Sequence, residues 1–170
     1  MEKEFYTISL YVDKDENFIG IPCGESETYG IADIDTVLVL KKPYTATDVE
    51  EFVEKVIGEC YKKKHNDLSP VSTIEKYTKK KGFVNATADL TLISIVKTAE
   101  SYSLMPTFND FERGPLCIDD DERILANPYQ AGDLYEQIYD MIMVYVKANA
   151  FYKEMAEVEE EKKNKNNNKK

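Results

Sequence analysis

Apolar residues alternate with polar ones in two stretches near the start of the chain, TISLYV and FIGIPC, on either side of the charged turn DKDEN. The same figure returns later as LISIV and YSLMPTF around KTAES. Period-two alternation rich in branched and aromatic residues, broken by a polar turn, predicts a β-hairpin in each place. A third apolar run, TVLVLKK, is too short and too branched for a helix and predicts a third strand, with DERILAN as its weaker counterpart. Proline stops each of these strands because it brings no N–H to a ladder, and a helix follows within a few residues. Each unit reads β-β-β-α.

The two helices repeat one another in residues as well as in pattern. PYTATDVEEFVEKV, from Pro43 to Val56, returns 85 residues on as PYQAGDLYEQIYDM, from Pro128 to Met141. Identities fall at Pro43/Pro128, Tyr44/Tyr129, Ala46/Ala131, Asp48/Asp133 and Glu51/Glu136. Val49, Val53, Val56 and Ile57 match Leu134, Ile138, Met141 and Ile142 at helical spacing, so the buried stripe is shared too. Upstream the offset drops to 84, pairing Thr7 with Thr91, Pro22 with Pro106 and Gly30 with Gly114, which requires one extra residue between Gly114 and Pro128. The reading is an α+β fold made of a duplicated β-β-β-α unit, residues 5–61 and 90–147, related by a pseudo-two-fold axis within one domain, 1–161. Thr47 and Glu50 have capping-box spacing in the first unit, where the second offers Gly132.

The connector, 62–89, carries a short helix around Ile74 and Tyr77, entered after Pro70 and stopped at Gly82. Beyond the second unit, Leu134, Ile138, Met141, Tyr145, Ala148, Tyr152 and Met155 follow one another by fours and threes, a heptad-like stripe that predicts a long C-terminal helix. That stripe either packs on the protein's own sheet or overhangs it, leaving Phe151, Tyr152 and Met155 to meet another chain. Residues 162–170, ending in NNNKK, hold no apolar side chain and are expected to be disordered.

Charge follows the repeat. Residues 1–61 hold 14 acids and 5 bases, 62–89 hold 3 and 7, 90–152 hold 10 and 4, and 153–170 hold 5 and 6, within a net charge of −10. Both units are acidic and the connector is basic, a field that repels nucleic acid and membrane phosphates and speeds encounter with a basic partner. No apolar run reaches the roughly 20 residues of a bilayer span and the opening residues lack a signal-peptide pattern, so the expectation is a cytoplasmic protein with neither membrane nor nucleic acid as partner. Cys23, Cys60 and Cys117 occupy unmatched places in the two units and read as buried thiols in a reducing compartment.

Signs of catalysis are sparse. His65 stands alone in the polar KKKHND, a surface position without cysteine or histidine at ligand spacing. A glycine-rich phosphate loop, a GxSxG elbow and a CxxC pair are all missing, and no cofactor is expected. In the run IDDDER, Asp119, Asp121 and Glu122 would together suit a hard cation, yet neighbouring residues in a strand point to opposite faces, which favours a solvated acidic turn. What both units do gather between hairpin and PY turn is acid: Glu25, Glu27, Asp33 and Asp35 in the first, Asp110, Glu112, Asp119, Asp120, Asp121 and Glu122 in the second. Unpaired buried carboxylates are costly, so these segments are expected at the surface, as candidates for a basic partner.

The order YTISLYV, FIGIPCG, VLVLKKPYTATDVEEFVEKVIGEC, then TIEKYTKKKGFVNATADLTLISI, then YSLMPT and RILANPYQAGDLYEQI, over about residues 5–147, resembles a family of bacterial immunity proteins from contact-dependent growth inhibition systems. The resemblance implies a non-enzyme that binds and neutralises a cognate toxin domain, often a nuclease, at the end of a large cell-surface protein. It assigns no binding residue. Two other readings stand beside it: a homodimeric regulatory or scaffold protein joined through the long helix, and a metal hydrolase built on Asp119 to Glu122.

Overall fold

The computed structural model describes residues 3–167. The first half runs β1 (Phe5–Asp13), β2 (Phe18–Ser26), β3 (Gly30–Asp33), β4 (Leu38–Leu40) and α1 (Ala46–Ile57). Two short connector helices follow, α2 (Thr73–Thr78) and α3 (Phe83–Thr87). The second half repeats the order as β5 (Leu90–Thr98), β6 (Ser101–Asp110), β7 (Gly114–Cys117), β8 (Arg123–Ala126) and α4 (Asp133–Met141). A π-helical turn, Ile142–Val146, then leads into α5 (Lys147–Asn167).

All eight strands form one antiparallel sheet in the order β3-β2-β1-β5-β6-β7, with β4 beside β2 and β8 beside β6. Exchanging the halves leaves this order unchanged. The joint is the β1–β5 ladder, from Phe5 opposite Thr98 to Asp13 opposite Leu90, centred on Ser9 opposite Ser94. Each half has four strands where the alternation predicts three. The unread strands, GIAD and GPLC, are four residues each and begin at Gly30 and Gly114, which adopt positive φ. They pair with the far ends of β2 and β6, while the apolar runs β4 and β8 take the near ends. Four half-covered residues carry too little alternation to be seen.

Register also corrects the repeat offset. Ile8 lies opposite Pro22 and Ile93 opposite Pro106, so Ile8 corresponds to Ile93 at 85 residues, and Thr91 corresponds to Tyr6 rather than Thr7. A tighter turn at Ala99 and Glu100, against Lys14 to Asn17, accounts for the shift to 84, and the 3-10 turn Asp119–Asp121 restores 85 before β8.

Alternation places the core. Ile8, Leu10 and Val12 face α1 and α4, whose Val49, Val53, Val56, Leu134, Ile138 and Met141 join them in one buried cluster across both halves. Tyr11, Ile19 and Ile21 point the other way, to a smaller cluster closed by Ile74 of α2 and Ala86 of α3. Gly20 lets α1 lie close on β2, since a Cβ there would stand 2.4 Å from Val56. Tyr44 and Tyr129 of the PY turns pack their rings on Phe18 and Tyr102, at 5.3 and 5.2 Å. Both X–Pro bonds of those turns are cis.

The helix ends differ from their predicted caps. Thr45, not Thr47, caps α1, in a capping box with Asp48. Gly82, expected to stop the connector helix, instead precedes α3, and Lys79 closes α2 in the left-handed region. Gly132 caps α4 without a side chain of its own, and the buried carboxylate of Glu50 reaches across from α1 to fill the role. It accepts hydrogen bonds from the N–H groups of Gly132 (3.0 Å) and Tyr135 (3.1 Å). Residues 162–167, expected to be disordered, continue α5 as an exposed helix of lysine and asparagine; residues 168–170 of that expected tail lie outside the described residues. Removing a cap costs about 0.5–2 kcal/mol, and a charged acceptor stands at the upper end. Glu50→Ala is therefore expected to lower unfolding free energy by about 2 kcal/mol in urea titrations, whereas Thr47→Ala at an exposed position leaves it within about 0.5 kcal/mol.

Candidate functional site

The two acidic segments lie at opposite edges of the sheet, because β3 and β7 end its order. At the β2–β3 edge the acids are divided in role. Asp33 is half-buried, contrary to its expected exposure: its Oδ1 accepts from the Ser9 hydroxyl (2.9 Å) and the Cys23 thiol (3.3 Å). Burial pushes its carboxyl above the ordinary range, against the pull of those two donors. Glu25 pairs with Lys3 and Asp35 with Lys76 at the surface, and Glu27 is exposed. His65, read as a free surface residue, is fastened here: its Nδ1 donates to the Asp33 carbonyl (2.6 Å) and its N–H to the Glu25 carbonyl (2.8 Å). Asp67 was not singled out by sequence. It binds the Ser26 hydroxyl and the N–H groups of Glu27 and Thr28, and the Ser26 bond leads in drawing its pKa down to about 2.

At the β6–β7 edge, Asp110 folds the turn by accepting from the N–H groups of Glu112 and Arg113, with the Arg113 guanidinium holding its carboxyl low. The 3-10 turn disperses the IDDDER acids. Asp121, half-buried, takes the Tyr145 hydroxyl (2.5 Å) and Arg123, and the tyrosine bond is the main cause of its lowered pKa. Glu122 accepts from the Ser103 hydroxyl, and Asp119 and Asp120 are exposed. Among the described residues no three side chains of histidine, cysteine, aspartate or glutamate are grouped to hold a metal ion. Of the thiols, Cys23 and Cys60 are buried as expected, but Cys117, on the edge strand β7, is exposed.

The long helix provides the third candidate surface. Its stripe holds to the sheet through Leu134, Ile138 and Met141, and then the π turn inserts a residue. Past it the inward positions are Asn149, Lys153 and Ala156, one residue later than the stripe expected from sequence. Asn149 is buried: its Oδ1 accepts the Asn109 N–H and its Nδ2 donates to the Thr91 hydroxyl, both at 3.0 Å. The slip turns Phe151, Tyr152, Met155 and Val158 outward, at 58, 49, 48 and 47% exposure. Tyr152 meets Phe108 of β6 edge-to-face, with centroids 5.0 Å apart. A cleft of about 250 Å³ runs beneath α5, between Val12, Leu90, Asn109 and Asn149. Neither the π turn nor the role of Asn149 has a local sequence signal.

No protein-family model and no curated protein matches the sequence. The fold does have solved counterparts. A protein of unknown function from Neisseria meningitidis is similar with a TM-score of 0.63 and 10% identity, over 84% of this chain and 97% of its own. A chain of the CdiA-CT/CdiI toxin and immunity complex from Yersinia pseudotuberculosis is similar with a TM-score of 0.55 and 10% identity, over 81% of this chain and 95% of its own. At that identity the likeness is one of fold.

What the arrangement offers is surface. Glu27, Glu112, Asp119 and Asp120 are exposed carboxylates, and an outward apolar stripe stands beside the second group. No helix among the described residues is long and apolar enough to cross a membrane. Asp33 is half-buried and bonded to Ser9 and Cys23 instead, which sets a pH signature. Its folded pKa is raised, so the native state holds the proton more tightly than the unfolded chain, and stability falls as pH climbs above the unfolded value of about 3.9. Asp33→Asn keeps an Oδ1 for Ser9 and Cys23 and removes that cost. Its Tm is expected to exceed wild type at pH 7, with the gain shrinking as pH approaches 3.9 in a series of thermal melts.

Proposed function

We propose that this chain is an immunity protein: it binds and neutralises the toxin domain of a contact-dependent growth inhibition system, in the cytoplasm, by covering a basic active site and without catalysis of its own. The observation that carries the reading is the shared fold with a chain of a toxin and immunity complex. The net charge of −10 supports it, since complementary fields raise association rates between an acidic inhibitor and a basic target. So does the division of the acids. Asp33, Asp110 and Asp121 are spent on the fold, while Glu27, Glu112, Asp119 and Asp120 stay exposed at the sheet edges.

The test is to read the adjacent open reading frame, for which a large secreted protein with a toxic C-terminal domain is expected, and to co-express that domain with this chain. Cells are expected to survive the toxin only when the chain is present, and the purified pair to elute as a one-to-one complex. No complex and no protection against that domain would overturn the reading. Between 0.1 and 1 M salt the Debye length shrinks from about 10 to about 3 Å, so stopped-flow association is expected to slow at least tenfold. A rate indifferent to salt would take the acidity out of the mechanism.

A further inference from the structure

Residues 147–158, KANAFYKEMAEV, separate apolar from charged side chains along a helix, but not in the register the structure adopts. At about 100° per residue, a straight continuation of α4 turns Ala148, Phe151, Tyr152, Met155, Ala156 and Val158 toward the sheet and Lys147, Lys153, Glu154 and Glu157 away from it. Every charge of the segment then faces water. The π turn instead rotates the helix by one residue, so that Asn149 and Lys153 point in while Phe151, Tyr152, Met155 and Val158 are exposed. What holds this register is polar and small in number. Asn149 bonds the Thr91 hydroxyl and the Asn109 N–H, and Lys153 pairs with Asp89, which Lys80 of the connector shares. Asn149 is the one buried residue of α5 among those described. The joint is also incompletely satisfied, since the Asn109 Oδ1 is buried without a hydrogen-bond partner among the described residues.

The protein's own sheet offers the cover. Beneath the helix the cleft of about 250 Å³ has Val12 and Leu90 in its walls, with Val146, Ala150 and Lys153 along the flank of α5 that faces it. Tyr152 stands on the opposite flank by helical spacing, against Phe108. Rotation by one residue carries Tyr152 across toward the cleft and Met155 beneath the helix, so that apolar side chains meet apolar walls. We propose that α5 is a strap with two registers. In the open register, the one of this structure, the π turn holds the apolar side outward. In the closed register the turn relaxes to α-helix, residues 147–158 rotate by about 100°, and that side lies on the sheet. Asn149 and Lys153 are the latch of the open register, and so few contacts separate the two that removing them shifts the population. Closure withdraws the stripe whatever partner the open register meets.

The test is the rate at which dithiobis(nitrobenzoate) labels a single thiol on the helix, in a Cys117→Ser background because Cys23 and Cys60 are buried. Met155→Cys reports a position that turns in on closure, and Glu154→Cys one that faces out in both registers. Removing the latch with Asn149→Ala and Lys153→Ala is expected to slow labelling at 155 roughly tenfold and to leave 154 unchanged, since a thiol reacts according to its exposure. Deleting Val144, an exposed residue of the π turn, takes out the inserted residue and leaves a straight helix with Asn149 still inward. In that background the latch variant is expected to slow nothing. Unchanged or faster labelling at 155 would overturn the proposal, because a helix that only loosens exposes the position further. Slowing at both positions or slowing that survives the deletion overturns it too, as does slowing that deepens with protein concentration, where a second copy is the cover. Should the double variant lose its cooperative melt, Lys153→Ala alone, at a half-buried position, takes its place with an expected slowing of about twofold, and a rate equal to wild type then overturns the proposal.

Discussion

The ladder between β1 and β5 is the interaction on which the rest of this molecule depends. It pairs the two halves along nine residues each, from Phe5 opposite Thr98 to Asp13 opposite Leu90, and so makes one sheet of two four-stranded pieces. Neither piece could bury its helix well alone, because small sheets leave too much of their apolar face in water. Joined, they give Ile8, Leu10 and Val12 the same cluster as Ile93, Ile95 and Leu104, and α1 lies beside α4 over it. The same ladder sends β3 and β7 to opposite edges and thereby keeps the two acidic segments apart.

Polar groups then set the details that burial leaves open. Glu50 crosses from α1 to the start of α4, supplying a cap where Gly132 has none, so the two halves are locked by a directional bond as well as by packing. Asn149 does the same for α5, which it ties to Thr91 of β5 and to the backbone of Asn109 on β6. A buried amide bonded at both its oxygen and its nitrogen fixes one rotation of a helix, where an apolar side chain would tolerate several. The outward turn of Phe151 and Met155 follows from that choice.

Such a body suits recognition. Its acids are of two kinds that composition does not distinguish: some hold turns and hydroxyls, and the others stay exposed to solvent. The fold is shared with a chain of a toxin and immunity complex, and α5 adds exposed apolar side chains to an otherwise acidic surface.

Local pattern alone determined the hairpins, the PY turns and the helices α1 and α4, since alternation of period two and a 3.6-residue stripe are properties of the chain itself. The eight matched core positions, Val49 to Ile57 and Leu134 to Ile142, are all buried for that reason. The short strands β3 and β7 were not legible, because four residues pairing with the far half of a longer strand need that partner in place to be strands at all. Nor were the roles of the acids: whether Asp33 or Glu27 is exposed depends on which residue stands across the sheet, Ser9 and Cys23 for one and solvent for the other. The stripe of α5 was legible as a stripe, but its direction was decided by the π turn and Asn149, whose bonds are to strands some 40 and 58 residues away in the chain. Contacts at that separation come from the packed fold, and they chose which face of the helix meets the sheet and which meets water.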